Sequence, residues 1–201
     1  MDLGSPVLDV APAVRGALLQ ALARLAQPVT RRQLAAVARV APGNASAVIE
    51  ELIQSGLVSE TIAGRSSMVV LNRNHLAAGP VLALAGLRGE LIRRLRKRLA
   101  TWPDLHGSWL FGSVARGDAD SDSDVDLLIV VDDLQSPDLH ERLSRLQADV
   151  RSWTGNDLQL VEHSPSSWQK LVRVKNPLVQ QIRQDGIALA GDTVLLLERR
   201  R

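Results

Sequence analysis

The sequence predicts a two-domain α+β protein: three helices closed by a β-hairpin, then a small α/β domain with a mixed sheet. Three observations carry this. Apolar residues recur at helical spacing early in the chain and are followed by two short apolar runs around a glycine turn. Val125–Val131 is apolar at every position except Asp126, as a strand buried on both faces should be. Charge is uneven: residues 1–80 carry 7 basic against 5 acidic side chains, residues 81–101 carry 6 against 1, and residues 102–201 carry 11 against 16. Such asymmetry implies parts with different partners.

The elements follow in order. Residues 1–12 read as a flexible arm. Val14, Leu18, Leu22 and Leu25 form one helix face, ended by Gln27 and Pro28. Thr30 is suited to N-cap a second helix over Arg31–Ala38. A third helix is expected over Ala45–Ser55, with Val48, Ile49, Leu52 and Ile53 inward and Gly56 as its stop. Leu57–Ile62 and Met68–Leu71 make a hairpin around Gly64–Ser67. Three helices and a hairpin over residues 13–73 is the order of a winged helix-turn-helix. Residues 74–86 read as a linker. A helix running to Leu99 places Leu84, Leu87, Leu91, Leu95 and Leu99 on one face, with Arg93, Arg94, Arg96, Lys97 and Arg98 elsewhere on its surface. Residues 87–201 form the second domain. It begins with a strand at Trp109–Phe111, a Gly-Ser turn and the strand Val125–Val131. A helix through Leu139, Leu143, Leu146, Val150 and Trp153 follows, then a strand at Leu158–Val161 and further helices broken at Pro177.

Composition excludes several functions. Hydrophobic residues make up 45% of the 201, enough to bury a core. The absence of cysteine removes disulfides, cysteine zinc sites and thiol catalysis. Aromatics are 2%, which argues against base stacking as the main activity. No apolar stretch fits a membrane span and Met1-Asp2 opens no secretion leader, so a cytoplasmic location is expected. His106, His140 and His163 share no metal-ligand spacing.

The chemistry-bearing stretch is Gly112–Leu127. A Gly-Ser turn between a buried strand and a helix exposes backbone N–H groups, the usual cradle for phosphate. Asp124 and Asp126 stand two apart at the start of a strand, so alternation places both carboxylates on one face. Two convergent carboxylates suit Mg²⁺, which can bridge nucleotide phosphates. An acidic loop such as Asp118–Asp126 is most often a solvated turn; here the Gly-Ser prefix decides for a site.

Gly112-Ser113-Val114-Ala115-Arg116-Gly117, the acidic loop, and Ser123-Asp124-Val125-Asp126-Leu127 together resemble the minimal, antitoxin-like nucleotidyltransferases of the DNA-polymerase-β superfamily. The resemblance runs from about Leu87 to Gly191. It implies that Gly112 and Ser113 hold the triphosphate, that Arg116 pairs with phosphate or braces the loop, and that Asp124 and Asp126 bind Mg²⁺ or Mn²⁺ and serve catalysis. It also implies transfer of a nucleotidyl group from an NTP to a hydroxyl on nucleic acid or on a protein such as a toxin partner. The family's third carboxylate is replaced by Gln159 in Leu158-Gln159-Leu160-Val161, and an amide has no basic site for deprotonating an acceptor. Asp157 offers a substitute from ~6–7 Å along the strand.

Asn44–Val58 resembles the recognition helix and following strand of MarR-like winged-helix regulators. That resemblance implies a homodimer on duplex DNA, with Arg31, Arg32, Asn44, Ser46 and the wing-tip Arg65 at the contact positions. Glu50 and Glu51, without a basic residue on that helix, weigh against it. The rival expectation is a transcriptional regulator whose nucleotidyltransferase domain is weak or inactive and senses nucleotide or mediates dimerisation.

Overall fold

The computed structural model describes residues 1–64 and 66–192, and these divide into two compact units. The first comprises Asp2 and Gly4–Leu87; the second comprises Met1, Leu3 and the chain from Arg88 onward.

In the first unit a 3₁₀ turn at Pro6–Asp9 precedes α1 (Ala13–Arg24). Then come β1 (Val29–Thr30), α2 (Arg31–Val37), α3 (Pro42–Gln54), β2 (Val58–Ala63), β3 (Ser66–Leu71) and α4 (Ala78–Ala85). Thr30 caps α2 in a capping box: its hydroxyl accepts from the Gln33 backbone N–H at 3.2 Å, and the Gln33 side chain accepts from the Thr30 N–H at 2.9 Å. α3 starts three residues before Ala45, because Pro42 takes the first helical position, where its missing N–H costs nothing. The antiparallel sheet has the order β1-β3-β2, with Val29 opposite Val69 and Val58 opposite Leu71. Leu18, Leu22, Leu34, Ile49, Leu52, Val58, Val69 and Leu71 form its core.

Two expectations change here. The segment read as a flexible arm is folded: Leu3 is buried in the core of the second unit and Val7 in that of the first. The expected linker 74–86 contains α4, whose Ala78 and Val81 are buried with the first unit's core. The leucine row expected on one helix is therefore divided. The chain breaks at Gly86, Leu84 packs with the first unit, and Leu91, Leu95 and Leu99 serve the second.

The second unit opens within α5 (Leu87–Leu99) at Arg88, then come β4 (Leu105–Phe111), the five-residue α6 (Gly112–Arg116) and β5 (Val125–Val131). It continues with α7 (Pro137–Thr154), β6 (Leu158–His163), α8 (Pro165–Arg173), α9 (Pro177–Asp185) and β7 (Ile187–Gly191). The sheet is mixed, in the order β6-β5-β4-β7. β5 and β6 run parallel, joined by the α7 crossover, while β4 is antiparallel to both neighbours. Alternation along β5 splits its side chains between two cores. Leu127, Ile129 and Val131 pack with α5 and α7, whereas Leu128 and Val130 pack with Trp109, Trp168, Val172, Val179 and Ile182. β7, not anticipated from the sequence, pairs Ala188 with Trp109 along β4. Among the described residues no helix is long and apolar enough to cross a membrane.

Candidate nucleotide site

The candidate site lies where β4 ends. Phe111 is the last residue of β4 and stands opposite Asp126. The chain then turns through Gly112, at φ +71°, into α6, and Gly117, at φ +82°, ends that helix. The turn lies directly on the acidic strand: a Cβ on Gly112 would come within 2.0 Å of Asp126 Oδ2. Glycine is needed there twice over, for the left-handed backbone and for the close approach. Ser113 closes the short helix with its carbonyl, which accepts from the N–H groups of Gly117 (2.9 Å) and Asp118 (3.2 Å).

Asp124 and Asp126 are both half-buried; Asp126 is in β5 and Asp124 immediately precedes that strand. On the parallel neighbour, Gln159 stands in register with Asp126. Its Nε2 donates to Asp124 Oδ2 at 3.3 Å. Burial pushes the Asp126 carboxyl above the usual carboxylate range, the charge of Asp124 adds to this, and the Arg116 guanidinium opposes it. Two carboxylates held this close, one desolvated, gain from a cation between them. The oxygen donor set fits Mg²⁺, which is commonly held by one or two carboxylates together with substrate phosphates. Among the described residues no group of three or more His, Cys, Asp or Glu is placed to hold a metal.

Several of the other candidates have partners of their own. Asp157 is exposed and its carboxylate is ion-paired with Arg151, while its carbonyl accepts from the Val125 N–H at 2.8 Å. Its side chain lines a groove together with Arg151 and Gln159. Arg116 is exposed and pairs with Asp118 at 3.2 Å. In the first unit, Arg31 is committed to Glu50 (3.0 Å) and Glu60 (2.7 Å). Arg32 and Ser46 line a groove with Arg31, Pro42, Ala45 and Ile49; Asn44 is exposed in the first turn of α3. Arg65 lies outside the described residues.

Two residues that the sequence reading missed support the site. Arg88 Nε donates to the Val114 carbonyl at 2.6 Å, and its Nη2 donates to the Ala115 carbonyl, so α6 is held from its carbonyl end. Asn156 is buried, and its Nδ2 donates to the Ser123 carbonyl at 2.8 Å, fixing the residue before Asp124. Neither has a motif: Arg88 sits in a basic segment and Asn156 follows a helix-ending glycine.

Residues 92–181 match the nucleotidyltransferase domain family, a span from within α5 into α9 that takes in the Gly112 turn, Asp124, Asp126 and Gln159. No curated protein matches the chain. Among solved structures, the chain is similar to a toxin–antitoxin crystallised with AMP-PNP, at 24% identity over 55% of this chain and 80% of that one, with a TM-score of 0.36. It is also similar to a mutant of the toxin–antitoxin MntA-HpeT, at 21% identity over the same shares, with a TM-score of 0.36.

Proposed function

We propose that the second unit binds a nucleoside triphosphate with Mg²⁺ or Mn²⁺ and transfers its nucleotidyl group to a hydroxyl of a protein or nucleic acid. The reading rests on one observation: Asp126 lies against the Gly112 turn with the charge of Asp124 close to it, inside the segment that matches the nucleotidyltransferase domain family. Asp124 and Asp126 would hold the ion, which supplies neutralisation of the polyphosphate and polarisation of the phosphoryl oxygens. The backbone N–H groups of Gly112 and Ser113 and the guanidinium of Arg116 orient the triphosphate. In the transfer, the acceptor oxygen bonds to the α-phosphorus, the bond to the β-bridging oxygen breaks, and pyrophosphate leaves. The acceptor proton must go to a base. Gln159 cannot take it, and its N–H is directed at Asp124.

That hydrogen bond supports a second reading, in which the unit binds nucleotide and transfers it slowly or not at all, serving a regulator as a nucleotide sensor or dimerisation module. In both readings the first unit acts as a winged helix-turn-helix on duplex DNA, the chain as a homodimer. Arg31, Arg32, Asn44 and Ser46 are the contacts on α2 and α3, Arg31 exchanging its surface pairs with Glu50 and Glu60 for phosphate, and Arg65 is the expected wing contact.

Calorimetry with ATP, GTP, CTP and UTP, with and without Mg²⁺, tests the nucleotide site; heat that requires Mg²⁺ is expected, and no heat with any of the four refutes it. A gel shift on the DNA upstream of the coding sequence tests the first unit. Binding should weaken with salt and in Arg32→Ala; binding indifferent to both would remove this assignment.

A further inference from the structure

A second candidate site lies in the nucleotidyltransferase unit, apart from the Asp124/Asp126 cluster. A groove of about 440 Å³ is lined by Arg93, Arg94, Lys97 and Arg98 of α5, Thr101 just beyond it, and Trp153 of α7. The opposite face of α5 is fully used, since Leu91, Leu95 and Leu99 are buried in the core. The four cations are neighbours by helical spacing, at i, i+1, i+4 and i+5. Glu90 pairs with Arg93 and Arg94, and Asp149 pairs with Arg98; Lys97 has no acidic partner among the described residues. Counting those acids, the groove keeps a net charge of about +2. Exposed ion pairs of this kind are worth about 0–1 kcal/mol, so incoming phosphates can compete for the same guanidinium groups.

We propose that this groove binds a single strand of nucleic acid. Three features decide for that occupant. First, the lining runs from Arg93 to Thr101, about 12 Å at 1.5 Å per residue, which spans about three phosphates of a strand and exceeds one nucleotide's phosphate group. Second, the Arg94 guanidinium lies 5.4 Å from the centre of the Trp153 ring. Trp153 is half-buried against the core, so its exposed part and the Arg94 guanidinium over it are within reach of an unstacked base. Third, apart from Trp153 the lining side chains are cationic or hydroxylic, which matches a strand of phosphates linked through sugars.

The groove supplies its own reporter. Trp102, Trp109 and Trp168 are buried, leaving Trp153 as the tryptophan that a ligand in the groove can reach. The full chain is titrated with a short single-stranded oligonucleotide, the matching duplex, ATP and poly-glutamate, following tryptophan fluorescence. Quenching by the single strand is expected, and Trp153→Phe should remove most of it. Arg93→Glu combined with Lys97→Glu, both on exposed side chains, should weaken binding at least about tenfold in fluorescence anisotropy and lower the salt slope by about 1.4. Unchanged melting would show that this variant is folded. Arg32→Ala should leave the quenching intact, so the result stands apart from DNA binding by the first unit. The proposal is overturned if the single strand does not quench at low salt, if ATP, poly-glutamate or the duplex quenches as well as the single strand, or if the charge-reversed chain binds as tightly as the original.

Discussion

Gly112 gives the most direct access to the site, and Gly117 supplies its control. Both have left-handed backbone, at φ +71° and +82°. Replacing either with alanine costs about 1–2 kcal/mol for that conformation alone. Their surroundings differ. A Cβ on Gly117 meets the Arg88 guanidinium at 3.6 Å, an ordinary contact, whereas a Cβ on Gly112 falls 2.0 Å from Asp126 Oδ2 and 3.0 Å from its Cγ. The half-buried Asp126 must then move by more than 1 Å or the turn must open, at a further cost of about 1–3 kcal/mol. Gly112→Ala should therefore lose about 2–5 kcal/mol and Gly117→Ala about 1–2 kcal/mol. At about 4–8 °C per kcal/mol for a unit of this size, the gap is readable in thermal melting. Titration of Mg²⁺–ATP into each variant, at a temperature where both are folded, gives the second readout. Gly112→Ala should bind at least about tenfold more weakly than Gly117→Ala, a difference of about 1.4 kcal/mol. If the two variants melt together and bind nucleotide equally, the close approach between turn and carboxylate has no consequence and the site geometry argued from it fails.

The remaining predictions concern charge. Gln159→Asp places a carboxylate beside Asp124 and Asp126; it should lower the melting temperature without metal, recover it with Mg²⁺, and raise labelled-nucleotide transfer by about 10²–10⁴-fold. Robust transfer by the unaltered chain that Gln159→Asp leaves alone or slows would show that another group serves as base. Away from the site, Arg142 donates to both carboxylate oxygens of Asp104, at 2.7 and 2.9 Å, and holds that carboxyl below its ordinary range. A carboxyl depressed on folding stabilises the fold above its unfolded pKa, and that stability is lost as pH falls through the folded value. Asp104→Asn should cost about 1–2 kcal/mol near neutral pH and progressively less below about pH 4, followed by urea unfolding at several pH values. A cost that does not change with pH would refute this.

Much of the candidate site's local geometry was legible because its signals are local. The i, i+2 spacing marks Asp124 and Asp126 as a candidate pair, although β5 begins only at Val125, and the apolar run marks β5 as central. The Gly-Ser turn announces a tight link between strand and helix, and Thr30 announces the start of α2. What escaped depends on residues far apart in the chain. β7 is short and small-sided, and its pairing partner β4 lies about 80 residues earlier, so no periodicity reveals it. The leucine row from Leu84 to Leu99 keeps helical spacing across Gly86, yet spacing cannot tell which core each leucine enters. Gln159 was visible as a departure from the family pattern, but its hydrogen bond to Asp124 arises from the parallel register of β5 and β6. The same holds for Arg88 beneath α6, Asn156 behind Ser123, and the glutamates that occupy Arg31. Side-chain facing is set by backbone geometry within a few residues, and so it is written in the sequence. Which facing groups meet is set by the packing of whole elements, and only the folded chain brings those groups within hydrogen-bonding distance.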